Sequence, residues 1–312
     1  MAKSTLTPEQ LGQPARLAAR TLARFHLLKV LEEAARLEIR AGEPKAGAAT
    51  GTAPEADEDP EAVHDFRVAL RRLRSWLQAF RPFLDDTVTK GSEGRLRRLS
   101  AVAGEARDLQ VQRASLREMG QTGHSAAAVD ALRIEPRIAK AEARARRKLT
   151  RKLIEDLPKS AARLAAQLQQ GELNPGATMA VALTQLLMER LEQMERSLSR
   201  LKRVGQIEPV HEARITVKRL RYLLEAFGRT SRLAVTAVLR LTEVQDAFGR
   251  LHDAQVLTQR MTDLRAKPAL RSRLRRNIQS SFRHALRVSR SRDIVTARDA
   301  TARLIRRLEL RS

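Results

Sequence analysis

Val63-His-Asp-Phe-Arg-Val-Ala-Leu-Arg-Arg-Leu-Arg-Ser-Trp-Leu-Gln-Ala-Phe80 aligns without a gap with Val210-His-Glu-Ala-Arg-Ile-Thr-Val-Lys-Arg-Leu-Arg-Tyr-Leu-Leu-Glu-Ala-Phe227, and nine of the eighteen positions are identical. A second match follows in the same order, Leu96 to Val111 against Leu241 to Val256, at an offset shorter by two residues. Two matches in one order mark an internal duplication. Placed on a helix at about 100° per residue, the first segment separates into two stripes. Val63, Phe66, Leu70, Leu73, Leu77 and Phe80 form a core face, as do Val210, Ala213, Val217, Leu220, Leu224 and Phe227 in the second copy. Beside it run His64, Arg67, Arg71 and Arg74, matched by His211, Arg214, Lys218 and Arg221. Like charges one turn apart repel by a few tenths of a kcal/mol per pair, so helix stability alone does not favour such rows. A solvated face whose long side chains lie over apolar neighbours accounts for one such stripe. Its recurrence at matched places points to an external anion bound between the copies.

The rest of the chain is rich in Ala, Leu, Arg, Glu and Gln and poor in aromatics (3%), a helix-forming composition. The expected fold class is all-α. Long helices are expected at 15–41, 60–84, 90–119 and 126–157, then at 175–204, 208–228, 231–265 and 268–291. A short helix near 160–170 bridges the halves and one near 294–310 closes the chain. Asp59-Pro60 and Asn174-Pro175 each offer a capping side chain followed by proline at the first helical position. Residues 42–62 carry three Gly, three Pro, six acidic residues and one lysine and cannot build an apolar face. They are expected to form a mobile acidic loop, either a solvated linker or a weak internal competitor folded over a basic site.

Lys and Arg number 60 against 36 Asp and Glu, a formal charge of +24 in 312 residues, while 42% apolar content suffices for a sizeable core. Such an excess suits a partner that is a polyanion or an anionic surface. The absence of cysteine excludes disulfides, thiolate metal sites and cysteine nucleophiles. The first residues lack a secretory h-region. The charge-free run from Leu173 to Met188 is too short to span a bilayer. A soluble, cytoplasmic protein with no membrane partner is expected.

Further arginines extend the basic picture. Arg133, Arg137, Lys140, Arg144, Arg147 and Arg151 follow one line down a helix, and Arg276, Arg283, Arg287 and Arg290 another, more loosely. Guanidinium forks grip phosphate oxygens bidentately, and arginine dominates these rows. Walker and dinucleotide loops, His-Glu-x-x-His, EF-hand and serine-elbow patterns are all missing. His64, His211 and His252 lack partners at metal-ligand spacing. Arg107-Asp108 and His252-Asp253 are equivalent in the second match, and each aspartate reads as the ion-pair partner of a neighbouring base rather than as half of a catalytic cluster. No catalytic residue, metal or cofactor is expected.

The repeated His-[Asp/Glu]-x-Arg-[Val/Ile]-x-x-[Arg/Lys]-Arg-Leu-Arg segment, followed each time by Gly-x-x-x-Asp-x-Gln-Val, resembles the CHAD family, the conserved histidine α-helical domain. The resemblance runs from about Pro14 to the end. It implies two four-helix bundles related by a pseudo-twofold axis, dividing the chain at 1–170 and 171–312 into one composite domain. A basic surface or central channel would bind inorganic polyphosphate, often on polyphosphate granules. Carried over by position, it points to His64, Arg67, Arg71, Arg72 and Arg74, and to His211, Arg214, Lys218, Arg219 and Arg221. Arg107, His252, Arg137, Lys140, Arg144, Arg283 and Arg287 complete the candidate contacts. Two departures stand out. No Glu-x-Glu-x-Lys strand of a CYTH-type triphosphate-processing domain is found, and the acidic insertion at 42–62 is long.

The leading expectation is non-enzymatic polyphosphate binding. A nucleic-acid-binding protein is the alternative, disfavoured by the shortage of aromatics for base stacking and of a recognition-helix motif. A polyphosphate-processing enzyme comes third, for want of a carboxylate cluster. Cationic neighbours favour neutral imidazoles at His64 and His211 until an anion arrives, so binding is expected to tighten as pH falls. Trp76, on the first repeated helix, would report binding by fluorescence if it lies near the site.

Overall fold

The computed structural model describes residues 6–42, 60–84, 87–170, 176–203, 205–228 and 230–310. Their regular structure is helical: α1 (Pro8–Gly12), α2 (Ala15–Gly42), α3 (Pro60–Ala79), α4 (Lys90–Gln121), α5 (Ala126–Glu155), α6 (Leu157–Gln167), α7 (Met179–Ser199), α8 (Ile207–Glu225), α9 (Arg232–Asp263), α10 (Pro268–Val288) and α11 (Arg292–Glu309). All ten expected helices are present, and the differences have local causes. The unexpected α1 is held by a capping box, in which Thr7 N–H donates to Gln10 Oε1 (3.0 Å) and Gln10 N–H to Thr7 Oγ1 (3.3 Å). Helix α3 gives way after Ala79 to a 3-10 turn at Arg81–Phe83, where Pro82 has no N–H to continue the ladder. Helix α7 starts at Met179 rather than at Pro175, because the Thr178 hydroxyl accepts Val181 N–H (3.3 Å) and caps it. The acidic segment expected at 42–62 lies for the most part outside the described residues.

Both heptad stripes are interior. Val63, Phe66, Leu70, Leu73, Leu77 and Phe80 are buried, as are Val210, Ala213, Val217, Leu220, Leu224 and Phe227, and they belong to one hydrophobic cluster that runs through both halves. In the first half α2 packs on α3, α3 on α4 and α4 on α5, and α2 also meets α5 and α6. In the second, α7 packs on α8, α8 on α9, and α9 on both α10 and α11. There α11, rather than α10, seals the group against α7, and α10 is left to pack on α9 and α5.

The halves meet through α2 on α7, α3 on α8, α4 on α9 and α5 on α10. Backbone bonds pin the first of these contacts, Ala15 N–H to Ala177 O (2.9 Å) and Met179 N–H to Gln13 O (2.8 Å). Asp130, buried on α5, pairs with Arg133 and accepts Lys267 N–H at 2.7 Å, which supplies from another helix the cap that Lys267's own side chain does not give α10.

Candidate functional site

Because each repeated helix buries its heptad stripe and the two helices pack together, their cationic rows converge. Arg67 and Arg71 on α3 approach Arg214 and Lys218 on α8 closely enough to perturb their ionisation, and Arg107, Asp108, His252 and Asp253 join the same electrostatic cluster from α4 and α9. A cleft of about 760 Å³ opens beside this cluster, lined by Arg67, Arg71 and Arg74 of α3, by Lys90 and Arg97 of α4, and by Lys218, Arg219 and Tyr222 of α8.

The cluster has few internal counter-charges. Arg67 meets Asp108 at 3.4 Å. Among the described residues Arg71, Arg214 and Lys218 have no ion-pair partner, and Arg71 Nε and Tyr222 Oη are buried without a hydrogen bond. Burial, followed by Arg214, Arg71 and Arg67, pushes the Lys218 ammonium down to about 7. Burial and then Arg71 lower the Arg214 guanidinium, and Arg71 is lowered chiefly by burial. The His252 imidazole falls to about 4 through burial, Arg214 and His211, and His64 is lowered by burial, Arg107 and Arg71. Asp253 keeps a solvent-facing edge, yet the surrounding protein and the Asp108 carboxylate hold its carboxyl above the usual range. Each cation is thus disfavoured in the free protein and would be favoured beside an anion. The CHAD domain family matches residues 46–262, which include both repeated segments.

The chain belongs to the CHAD family. The crystal structure of the CHAD domain from the plant Ricinus communis is similar with a TM-score of 0.65 at 20% identity, covering 96% of each chain. PptA from Streptomyces chartreusis gives 0.64 at 18% identity, covering 92% of this chain and 99% of its own. At these identities the likeness establishes the fold. No curated protein matches the sequence.

The CHAD motif residues do not all face the cleft. Arg72 Nε donates to Glu225 at 2.8 Å, and Arg221 is held by the same carboxylate, by Gln245 (3.0 Å) and over the Tyr222 ring (4.8 Å), so a single glutamate neutralises a cation from each repeat. Arg74 faces Arg97 and Glu93 at one end of the cleft. His211 is exposed, close to His252. Arg137, Lys140 and Arg144 lie exposed on α5, and Arg283 and Arg287 exposed on α10, outside the cleft lining. Trp76 is buried against α2, its Nε1–H donating to Ala19 O (2.9 Å) and its ring stacked on Phe80, so it belongs to the core rather than to the cleft.

Sequence reasoning missed Lys90, Arg97 and Tyr222. The signal for the α4 pair was available: Lys90, Gly94, Arg97, Ala101, Gly104 and Asp108 follow i, i+4, i+7 spacing and share one face, on which every uncharged residue is small. A second cavity of about 590 Å³ lies on the other side of the α3–α8 contact. Its wall carries Val235 and Leu239 at the places that Lys90 and Gly94 hold when the offset of the second match is extended, and mixes such aliphatics with charges of both signs, among them Glu33, Arg72 and Glu225, whereas the first cleft is mainly cationic.

Gly104 and its counterpart Gly249 sit inside long helices, where glycine is about 1 kcal/mol less favourable than alanine. Packing does not require them. A Cβ at Gly249 meets nothing within 4 Å, and one at Gly104 meets only Arg67 Nε at 4.0 Å. They leave room beside the basic rows. Gly104→Leu is therefore expected to weaken anion binding at least tenfold while raising or preserving the melting temperature; a variant of full affinity would show that the space is incidental.

Proposed function

We propose that this chain binds inorganic polyphosphate without turning it over, in the cleft between α3, α4 and α8. The observation that carries the reading is the convergence of Arg71 and Lys218, which line an open cleft, with Arg214 close beside them; among the described residues these cations from two repeated helices have no ion-pair partner. Guanidinium and ammonium groups on both walls would replace the counterions of a flexible phosphate chain. Binding rather than catalysis is favoured because the carboxylates at the centre, Asp108 and Asp253, sit in a field of arginines, where they balance charge. The low aromatic content argues against base stacking of single strands as the cleft's purpose.

Contacts between each helix and its counterpart support a pseudo-twofold relation of two four-helix units, 1–170 and 171–312, with the cleft at their seam. A cytoplasmic chain of this charge would be carried to polyphosphate granules by the same contacts. Calorimetric titration with short polyphosphate of defined length at near-physiological salt should show saturable binding that equal charge of duplex DNA does not displace, and magnesium or manganese should release no phosphate. Absence of saturable heat, or one-for-one displacement by DNA, would overturn the reading.

A further inference from the structure

From Leu264 to Arg292 the chain runs for 29 residues without a carboxylate, and ten of those residues are Lys or Arg. This stretch contains α10 and lies beyond the residues matched to the CHAD family. Helix α5 reaches a similar state by another route. Its mid-helix acids turn inward to α4: Glu135 takes Arg113 (2.7 Å) and Arg117 (2.9 Å), and the buried Glu142 takes Arg113 (3.4 Å). Arg137, Lys140, Arg144, Arg147 and Arg151 remain exposed on the outside, and among the described residues the last four have no ion-pair partner.

The two helices are antiparallel neighbours. Arg273 donates to Thr122 Oγ1 (3.0 Å), Lys267 N–H to Asp130 (2.7 Å) and Arg137 to Leu264 O (3.5 Å), so the α5 numbers rise as the α10 numbers fall. Arg283 and Arg287 therefore prolong the basic surface past the start of α5. Helix α5 packs on α2, α4, α6 and α10, with α4 between it and the cleft.

We propose that the outer face of α5, with α10 adjoining it, is a docking surface for duplex nucleic acid that reads no sequence and is separate from the cleft. Five aligned cations from Arg137 to Arg151 extend about 21 Å at 1.5 Å per residue. A duplex offers one charge per about 1.7 Å of axis in two phosphate rows, and it is wide enough to lie along an open ridge. A slender phosphate chain gains more from a cleft that closes on it from two sides. A membrane-surface helix must insert an apolar face. The apolar face of α5, with Ile134, Ile138, Leu149 and Leu153, is spent in the core, and its exposed aliphatics, Val129, Leu132 and Ile154, stand at its two ends.

The test uses the full chain and a labelled duplex of about two turns, titrated over a salt series, with the triple variant Arg144→Glu, Arg147→Glu, Arg151→Glu. Duplex affinity is expected to fall ten- to a hundredfold, and the slope of log K against log salt to shrink by about 3, near 0.9 for each lost phosphate contact. Calorimetric binding of short polyphosphate should be unaltered, and short polyphosphate saturating the cleft should leave the duplex bound. The glutamine triple, isosteric with the glutamate one but uncharged, should show the same loss of slope and guards against misfolding of the glutamate one. Unchanged duplex affinity in both variants would overturn the proposal. So would one-for-one displacement of the duplex by short polyphosphate, or capture of anionic vesicles by this face in preference to the duplex.

Discussion

Replacing Arg71 and Lys218 together by glutamate is expected to weaken polyphosphate binding by a factor of 10² to 10⁴ while circular dichroism shows unchanged helical content. Hydrogen bonds to charged groups contribute about 1.5–3 kcal/mol each, so losing two of them removes roughly 3–6 kcal/mol. The stability arm discriminates as strongly as the binding arm. In the free protein both side chains sit among like charges, with Arg67 and Arg214 beside them. Glutamate at either place would gain partners that the native cation lacks, so the melting temperature should hold or rise. A structural role for the rows demands the reverse, lower stability with binding intact. Loss of binding without loss of stability is the signature of residues kept for a ligand. The comparison variant is Arg72→Glu. It removes a cation already neutralised by Glu225, and it should disturb binding far less.

The sequence made the fold legible where periodicity and punctuation agree. Two gapless segments with heptad stripes placed α3 and α8, and the buried face was read correctly from Val63 to Phe80 and from Val210 to Phe227. The start of α7 was misread because Asn174-Pro175 is a good cap locally, yet the backbone bonds from Ala15 and Met179 fix the entry of this helix at Thr178. Tertiary contacts overruled a local preference. The site was legible only as rows. Periodicity places Arg71 in the cationic row and Arg72 outside it, but it cannot supply the partner that Arg72 finds, Glu225, which is 153 residues away. The arginines of α5 and α10 look like the repeat rows in one dimension. Their separation from the cleft follows from α4 lying between, a fact of packing rather than of spacing.

Polyphosphate affinity is expected to fall about tenfold per pH unit at most as pH rises from 7 to 8.5, and to rise again, less steeply, as pH falls below 7. Lys218 titrates near 7 in the free protein because burial and then Arg214, Arg71 and Arg67 oppose its charge. A bound phosphate reverses that balance and returns the ammonium toward its ordinary range near 10.4. A base whose pKa is higher in the complex takes up a proton on binding. Its contribution is complete below the free value and is lost as pH climbs from the free value to the bound one. For Lys218 that window opens near 7. His252, held at about 4 by burial, Arg214 and His211, and His64, lowered by burial, Arg107 and Arg71, open theirs on the acid side. Titration calorimetry in buffers of different ionisation enthalpy measures the protons directly. Lys218→Met should abolish uptake above pH 7 and flatten the alkaline limb, and His252→Asn should flatten the acid limb alone. Native binding with no proton uptake at either end would mean that the phosphate chain does not reach the Lys218 and His252 pair, and that its seat is the outer part of the cleft at Arg74, Lys90 and Arg97.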